Sequence, residues 1–307
     1  MDTQTDIYDS TPKSSVSIEK QKTTFFVKVF YVVVFIAALF IIKNEVYYSL
    51  YYLDDQEIIF DDLTTCNVLG VQLVGGLVTY ASQDEIEEHG FTLADEILFA
   101  IDDAQQDEET DALILEIDSW GGSPVAADEI ADALKRFTKP SVVYIRGAGV
   151  SGAYWAATGA DYIFATKNSD VGSIGVTMSY VENSEQNENA GLKYISLSSG
   201  EFKEAGDPNK ELTEEERTLF ERDIDIVYNN FIDTVSENRS LLREDVKKIA
   251  DGSSVIGQMA QDLGLVDKIG TFYDVREYVE NLIGAEAEVC WYFTGEETEY
   301  SEEEYDY

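Results

Sequence analysis

The sequence contains a single histidine, His89, and only two cysteines, Cys66 and Cys290. The histidine lies among acids in EIEEHGF, the setting of a solvated helix end. A Ser-His-Asp triad therefore has one base to draw on, and no other catalytic signature stands near it. The cysteines form no CxxC pair and lack metal-type spacing, which removes the usual zinc sites and leaves no metal expected. They read either as one extracytoplasmic disulfide or as two buried thiols. Basic residues are scarce as well, 21 against 61 acidic, for a formal net charge of -40. So acidic a chain repels phosphate, which excludes nucleic acid as a partner. It also lacks a broad docking face for anionic lipid. The charge describes a heavily solvated surface suited to a salty exterior. No internal repeat is long enough to suggest duplicated domains.

What is present falls into segments. Residues 1–24 are polar with no apolar period and read as a flexible cytoplasmic tail. Residues 25–42, FFVKVFYVVVFIAALFII, are apolar on every side. As a helix they span about 27 Å, close to the hydrocarbon thickness of a bilayer. Lys13, Lys20 and Lys22 precede the run, while Glu45, Asp54, Asp55 and Glu57 dominate beyond it. The positive-inside rule then puts the N-terminus in the cytoplasm and the rest outside. Tyr47, Tyr48, Tyr51 and Tyr52 form an outer interfacial belt. No small-x-small cleavage site follows, so the run reads as an uncleaved single-pass anchor in the cell membrane. Residues 43–66 are a linker.

Residues 67–290 alternate strand and helix patterns, which argues for a parallel sheet with crossover helices. NVLGVQLVGGLVTY reads as strands around Gly75 and Gly76. Residues 93–107 carry apolar residues at helical spacing, and 111–117 form a buried strand. DSWGG is a turn, and SPVAADEIADALKRF a helix with Pro124 in its first turn. A strand over 141–145 leads through a glycine-rich bend into a helix near Ser151, and YIFAT, 162–166, is a short strand. NSDVGSIGVTMSY passes through a turn into a strand, and KYISLSS, 193–199, is another. Beyond Pro208 the chain turns helical. Thr213 caps a long helix with an apolar stripe of Leu219, Phe220, Ile224, Val227, Tyr228, Phe231 and Val235. Two or three shorter helices follow. Residues 291–307 read as an acidic disordered tail.

Two strand-end turns carry chemistry. In GVSGAY, Ser151 sits on a tight strand-to-helix turn, and Gly149 and Gly152 let another backbone approach. In DSWGGSP, Gly121 and Gly122 can point a backbone N–H into a cleft. Together they offer a hydroxyl and two donors, from Gly122 and Gly152, which is the minimum for acyl transfer. A base is still needed. Besides His89 only a lysine can take the serine proton, and it must shed its own from a reference pKa of about 10.4. Several lysines follow Ser151, and composition does not choose among them.

These motifs resemble the signal peptide peptidase A family of membrane-anchored serine peptidases, in its short, unduplicated form. The resemblance covers about 67–270. It is carried by DSWGGSPVAADEIADAL, GAGVSGAYWAATGADYIFAT, DVGSIGV, SGEFKEAGDP and REDVKKIADGSSVIGQMAQDLGLVDKIG, in that order. It implies a Clp-protease/crotonase-like α/β fold of β-α repeats with a helical C-terminal part. By the same resemblance Ser151 is the nucleophile, Lys203 the general base and Ser173 the residue that orients the lysine. The donors are Gly122 and Gly152, and no cofactor is implied. The implied reaction is endopeptidase cleavage of released signal peptides or other unfolded segments. It is carried out by a homo-oligomer, an octamer, with Lys203 of one copy reaching Ser151 of the next. Trp120 departs from the family pattern, standing where proline is usual. An inactive crotonase-like scaffold and a non-proteolytic acyl-thioester enzyme are the alternatives.

Overall fold

The computed structural model describes residue 43 and residues 66–292. The expected cytoplasmic tail, the anchor over 25–42, most of the linker and most of the acidic tail lie outside the described residues. Among the described residues no helix is long and apolar enough to cross a membrane.

The chain begins with β1 (Val68–Val78), α1 (Gln83–His89), β2 (Phe91–Leu93), α2 (Ala94–Gln106), β3 (Ala112–Gly122) and α3 (Pro124–Arg136). It continues through β4 (Ser141–Val150), α4 (Gly152–Ala157), β5 (Tyr162–Ala165), β6 (Asp170–Gly172) and α5 (Ser184–Asn189). After the long α6 (Glu214–Asn238) come α7 (Arg243–Ile249), β7 (Ser254–Ile256), α8 (Gly257–Asp262), β8 (Lys268–Ile269), α9 (Phe272–Ile283) and β9 (Val289–Tyr292). The strands form one sheet in the order β2-β1-β3-β4-β5-β8, with β9 on β1 and β6 on β4. Pairing is parallel throughout except between β6 and β7. This is the α/β architecture that the alternation of patterns implies.

The central strands read as unbroken apolar runs because both faces are covered, as parallel sheets require. On one face Leu73, Leu77, Leu115, Ile117 and Ile145 meet α2, α3 and α4. α2 offers Ile97, Ala100, Ile101 and Ala104, and α3 offers Ala127, Ile130, Ala131 and Leu134, at helical spacing. Ser123 caps α3 by accepting from Ala126 N–H, and Pro124 fills its first position, where no N–H is needed. The other face is smaller: Ile114, Val142, Tyr144 and Phe164 lie with Val275 and Val279 of α9. Thr213 caps α6 in a reciprocal box with Glu216. Glu216 is buried and ion-paired with Lys210. That lysine, ahead of the Thr213 N–H, holds its carboxyl below the ordinary value.

Four details differ from the sequence reading. β1 is one strand, with a register shift between Val74 and Gly76 and φ 73° at Gly75. In DVGSIGVTMSY the strand, β6, precedes the turn instead of following it, and 173–183 is irregular. Residues 193–199 form no strand: they are exposed, and no edge among the described residues pairs with them. β9 runs to Tyr292, two residues into the segment assigned to the acidic tail, and pairs with Val68–Val71 of β1.

Cys66 and Cys290 are joined, with Cα atoms 5.8 Å apart and a sequence separation of 224. The bridge fastens β9 to the start of β1. Closing so long a loop restricts the unfolded chain, so Cys290→Ser is expected to cost about 2–5 kcal/mol. Urea unfolding checks this: an unchanged midpoint would show that the bridge adds no stability.

Candidate active site

The bend between β4 and α4 is built from small residues under a buried strand. Gly147 lies against the Asp118 carboxylate, where a Cβ would stand 2.4 Å from Oδ1. Ser151 follows Val150 with φ 54° and ψ -128°, a left-handed conformation that a non-glycine residue adopts at a cost of about 1–3 kcal/mol. The surroundings hold it there. Ser151 N–H donates to Gly172 O at 2.7 Å, and its carbonyl accepts from Trp155 N–H at 3.0 Å. α4 is buried along its whole length, and the Tyr154 hydroxyl donates to Leu265 O at 2.9 Å. Burial pushes the Tyr154 phenol far up, so it stays a neutral anchor. The Ser151 hydroxyl does not cap α4. It is therefore not spent on structure.

The end of β3 lies against this bend. Buried Ser119 donates to Gly75 O at 2.6 Å and accepts from Gly121 N–H at 3.1 Å, which fixes the turn. Gly121 has φ 90°, and a Cβ there would sit 2.7 Å from Gly152 N and 2.9 Å from Ser151 Cβ. At Gly122 a Cβ would stand 1.9 Å from Leu77 O. Only glycine lets these backbones meet. The result puts the Gly122 nitrogen 3.2 Å from the point where a Gly152 Cβ would be. Both glycine nitrogens thus border the Ser151 turn; oxyanion donors would have to stand in such a place.

Two cavities open from Ser151. The first, about 310 Å³, is lined by Gly122, Gly152, Trp155, Met178, Val227 and Phe231 among others. It is mainly apolar, and Trp155 stacks on Phe231 with centroids 4.7 Å apart. The second, about 380 Å³, has Ser173, Asp225, Tyr228, Asp251 and Gly252 in its walls. Ser173 has φ 49°, receives its place from an N–H bond to Ser253 O, and donates its hydroxyl to Gly252 O at 2.8 Å. β4 makes this possible, since its first half pairs with β5 and its second half with β6, which carries Ser173 to the nucleophile.

The structure therefore brings Ser151, Gly122, Gly152 and Ser173 together. It does not bring Lys203 to them within one copy. That lysine is exposed in the turn following Gly200 and lines neither cavity. His89 ends α1, is exposed beside Glu88, and lines neither cavity as well. Trp120 is 68% exposed at the β3 turn and is likewise absent from both linings. Three features escaped the sequence reading. Ser119 looks like any turn serine. The α6 stripe reads as pure core, yet Ile224, Val227, Tyr228 and Phe231 also face the cavities. Asp251 and Gly252 fall within the C-terminal motif that carries the resemblance, yet no site role was drawn from it, and by themselves they read as a turn dipeptide.

Comparison with known proteins bears on this geometry. The profile of peptidase family S49 matches residues 133–286, which take in Ser151, Ser173 and Lys203. A provisionally named protease of Methanocaldococcus jannaschii is 35% identical over 59% of this chain and 59% of its own. A provisionally named signal peptide peptidase SppA of Enterococcus faecium is 32% identical over 56% of this chain and 51% of its own. Protease 4 of Haemophilus influenzae is 29% identical over 71% of this chain and 35% of its own. The chain thus spans only about a third to three-fifths of these relatives' lengths.

Proposed function

From the premise that this chain belongs to peptidase family S49, we propose that it is a serine endopeptidase with a Ser-Lys dyad. Ser151 is the nucleophile, Lys203 of a neighbouring copy is the base, and Gly122 and Gly152 supply the oxyanion donors. The substrates are unfolded peptides, released signal peptides among them. The observation that carries the reading is the Ser151 turn: a strained serine with an uncommitted hydroxyl, held between two glycine backbones at the mouth of an apolar cavity.

The chemistry follows from these positions. Ser151 Oγ attacks the peptide carbonyl carbon while the neutral Lys203 amine takes its proton. Gly122 and Gly152 N–H groups receive the oxyanion. The ammonium then protonates the departing amine, leaving an acyl-enzyme. Water, losing a proton to the same amine, releases the acid. Ser173 fits the orienting role for a specific reason. Its proton is committed to Gly252 O, so its lone pairs can only accept. An amine that donates one N–H to Ser173 turns its own lone pair elsewhere, which suits a lone pair aimed at Ser151.

A neighbouring copy is invoked because of where Lys203 lies. The excursion from 176 to 213 leaves β6 and carries Met178, Val181, Leu192, Ile195 and Leu197 exposed. An isolated soluble chain rarely displays so many large apolar groups on one segment. A second copy covers them and presents Lys203 to a Ser151 not its own, in a homo-oligomer of octameric size. The Cys66–Cys290 bridge suits an oxidising compartment. That agrees with an anchor over 25–42 that leaves the N-terminus in the cytoplasm and the peptidase outside.

Labelling with a fluorophosphonate tests the assignment. The wild type should label, and Ser151→Ala and Lys203→Ala should each lose labelling by about three orders of magnitude or more. A scaffold or an acyl-thioester enzyme of the crotonase kind would label equally weakly in all three proteins, and that result would end the peptidase reading.

A further inference from the structure

The two cavities that meet at Ser151 have different walls. Gly122 and Gly152 line the first and are missing from the second. A peptide carbonyl attacked by Ser151 Oγ rests its oxygen at those glycines. The side chain of the residue that owns this carbonyl hangs from the next atom along the chain. It therefore enters the cavity that the glycines line. That cavity also has a direction. Trp155 and Phe231 are almost wholly buried and close its inner end. Ile224 and Val227 of α6 are half-buried along one wall, while Thr177 and Asp223 are exposed at the mouth. We propose that this cavity selects the residue on the acyl side of the scissile bond. It takes a large uncharged apolar side chain (leucine, methionine or phenylalanine) in preference to alanine, and Val227 sets its size limit. The inference rests on the serine peptidase reading and extends it to a substrate class.

Size and chemistry both point this way. The volume is about 310 Å³, against the ~30 Å³ that a water occupies in the liquid. An alanine methyl leaves most of that space unfilled, whereas a side chain of phenylalanine size has room. Leucine buries three more carbons than alanine, which is worth roughly 50-fold in kcat/KM at the usual value per buried methylene. An entering ring also meets the aromatic pair at the inner end, in the offset or edge-on contact that such rings favour. Among the described residues that line the cavity, Asp223 alone is charged, and Arg222 engages it at the mouth. A lysine or glutamate side chain gives up its water further in and finds no partner there, so both are rejected. Val227 lines the first cavity and not the second. Its size can therefore be changed without altering the walls around Ser173.

The test is kcat/KM of the full chain on peptides alike except at the residue before the scissile bond. In the unaltered protein leucine, methionine and phenylalanine should exceed alanine by about 50-fold, with lysine and glutamate below alanine. Val227→Phe fills the cavity and is expected to cut the leucine-to-alanine ratio by about tenfold or more. Val227→Ala lengthens it and is expected to raise phenylalanine relative to leucine. Each ratio is taken within one protein, so a smaller folded fraction cancels from it, and the two substitutions must act in opposite directions. An unaltered protein that prefers alanine overturns the inference, and so do ratios that neither substitution moves. The reading beneath it fails in a different way: there Ser151→Ala would cleave the whole series as fast as the unaltered protein.

Discussion

Neither Ser151→Ala nor Lys203→Ala should hydrolyse peptide alone, yet protomers of the two variants co-assembled in equal amounts should. In the proposed arrangement every site takes its hydroxyl from one copy and its amine from the next. A Lys203→Ala protomer still has an intact Ser151 turn, and a Ser151→Ala protomer still has an intact amine. With random mixing around a closed ring of head-to-tail contacts, about one site in four unites the two, so about a quarter of wild-type activity returns. Each variant alone keeps only what the oxyanion donors and binding supply, about four or more orders of magnitude less. The contrast separates this scheme from a dyad within one copy, where mixing restores nothing. The measurement is peptidase activity after joint refolding or subunit exchange. A mixture as inactive as its components would remove Lys203 of a neighbour from the mechanism. The structural basis is the place of Lys203: exposed, on an excursion of apolar residues, and outside both cavities at Ser151.

The second large effect should come from salt. Even with every basic group paired, forty carboxylates remain in surplus. The ion pairs that do form are mostly on the surface, such as Arg136–Asp132, Arg243–Asp233 and Lys248–Asp245, and pairs of that kind add little. In about 0.02 M salt the screening length exceeds 10 Å, so neighbouring acids repel across the whole surface. In about 1 M salt it falls to about 3 Å. Repulsion acts on the fold and again on assembly, since each copy brings the same charge. Thermal unfolding is expected to rise by about 10 °C or more between those conditions, with the proposed oligomer dissociating at the low end. Calorimetry and light scattering across a salt series check it. A melting temperature that is flat in salt would mean the charge is spread too evenly to matter.

Much of this was open to reading from the sequence because each signal was local. α3 begins at Ser123 and Pro124 and runs as its small apolar stripe dictates. α6 starts at the Thr213 box and keeps its period for 25 residues. The Ser151 turn and the paired glycines could be placed at strand ends since buried strands and capped helices bracket them. What was missed depends on neighbours distant in sequence. KYISLSS has the β-branched and aromatic content of a strand, but a strand needs a partner edge, and none among the described residues of one copy meets it. β9 is the reverse case. Four residues beside an acidic run become a strand because β1 offers an open edge 220 residues away and a cysteine to hold it. Lys203 shows the limit most plainly. A lone charged residue in a polar turn carries no sign of chemistry, and within one copy the structure leaves it exposed.

The bridge between Cys66 and Cys290 has a further bearing, because a long exposed stretch among the described residues lies in mid-chain. The irregular segment between β6 and α6 is where another protease, or a sister molecule, would cut most readily. It lies wholly inside the covalent ring that the bridge closes. A single cut there yields two fragments that remain tethered, so the nicked protein migrates as one piece until a reductant is added. After a cut between residues 173 and 202, Ser151 and Lys203 lie on different fragments, which in denaturing electrophoresis part only on reduction.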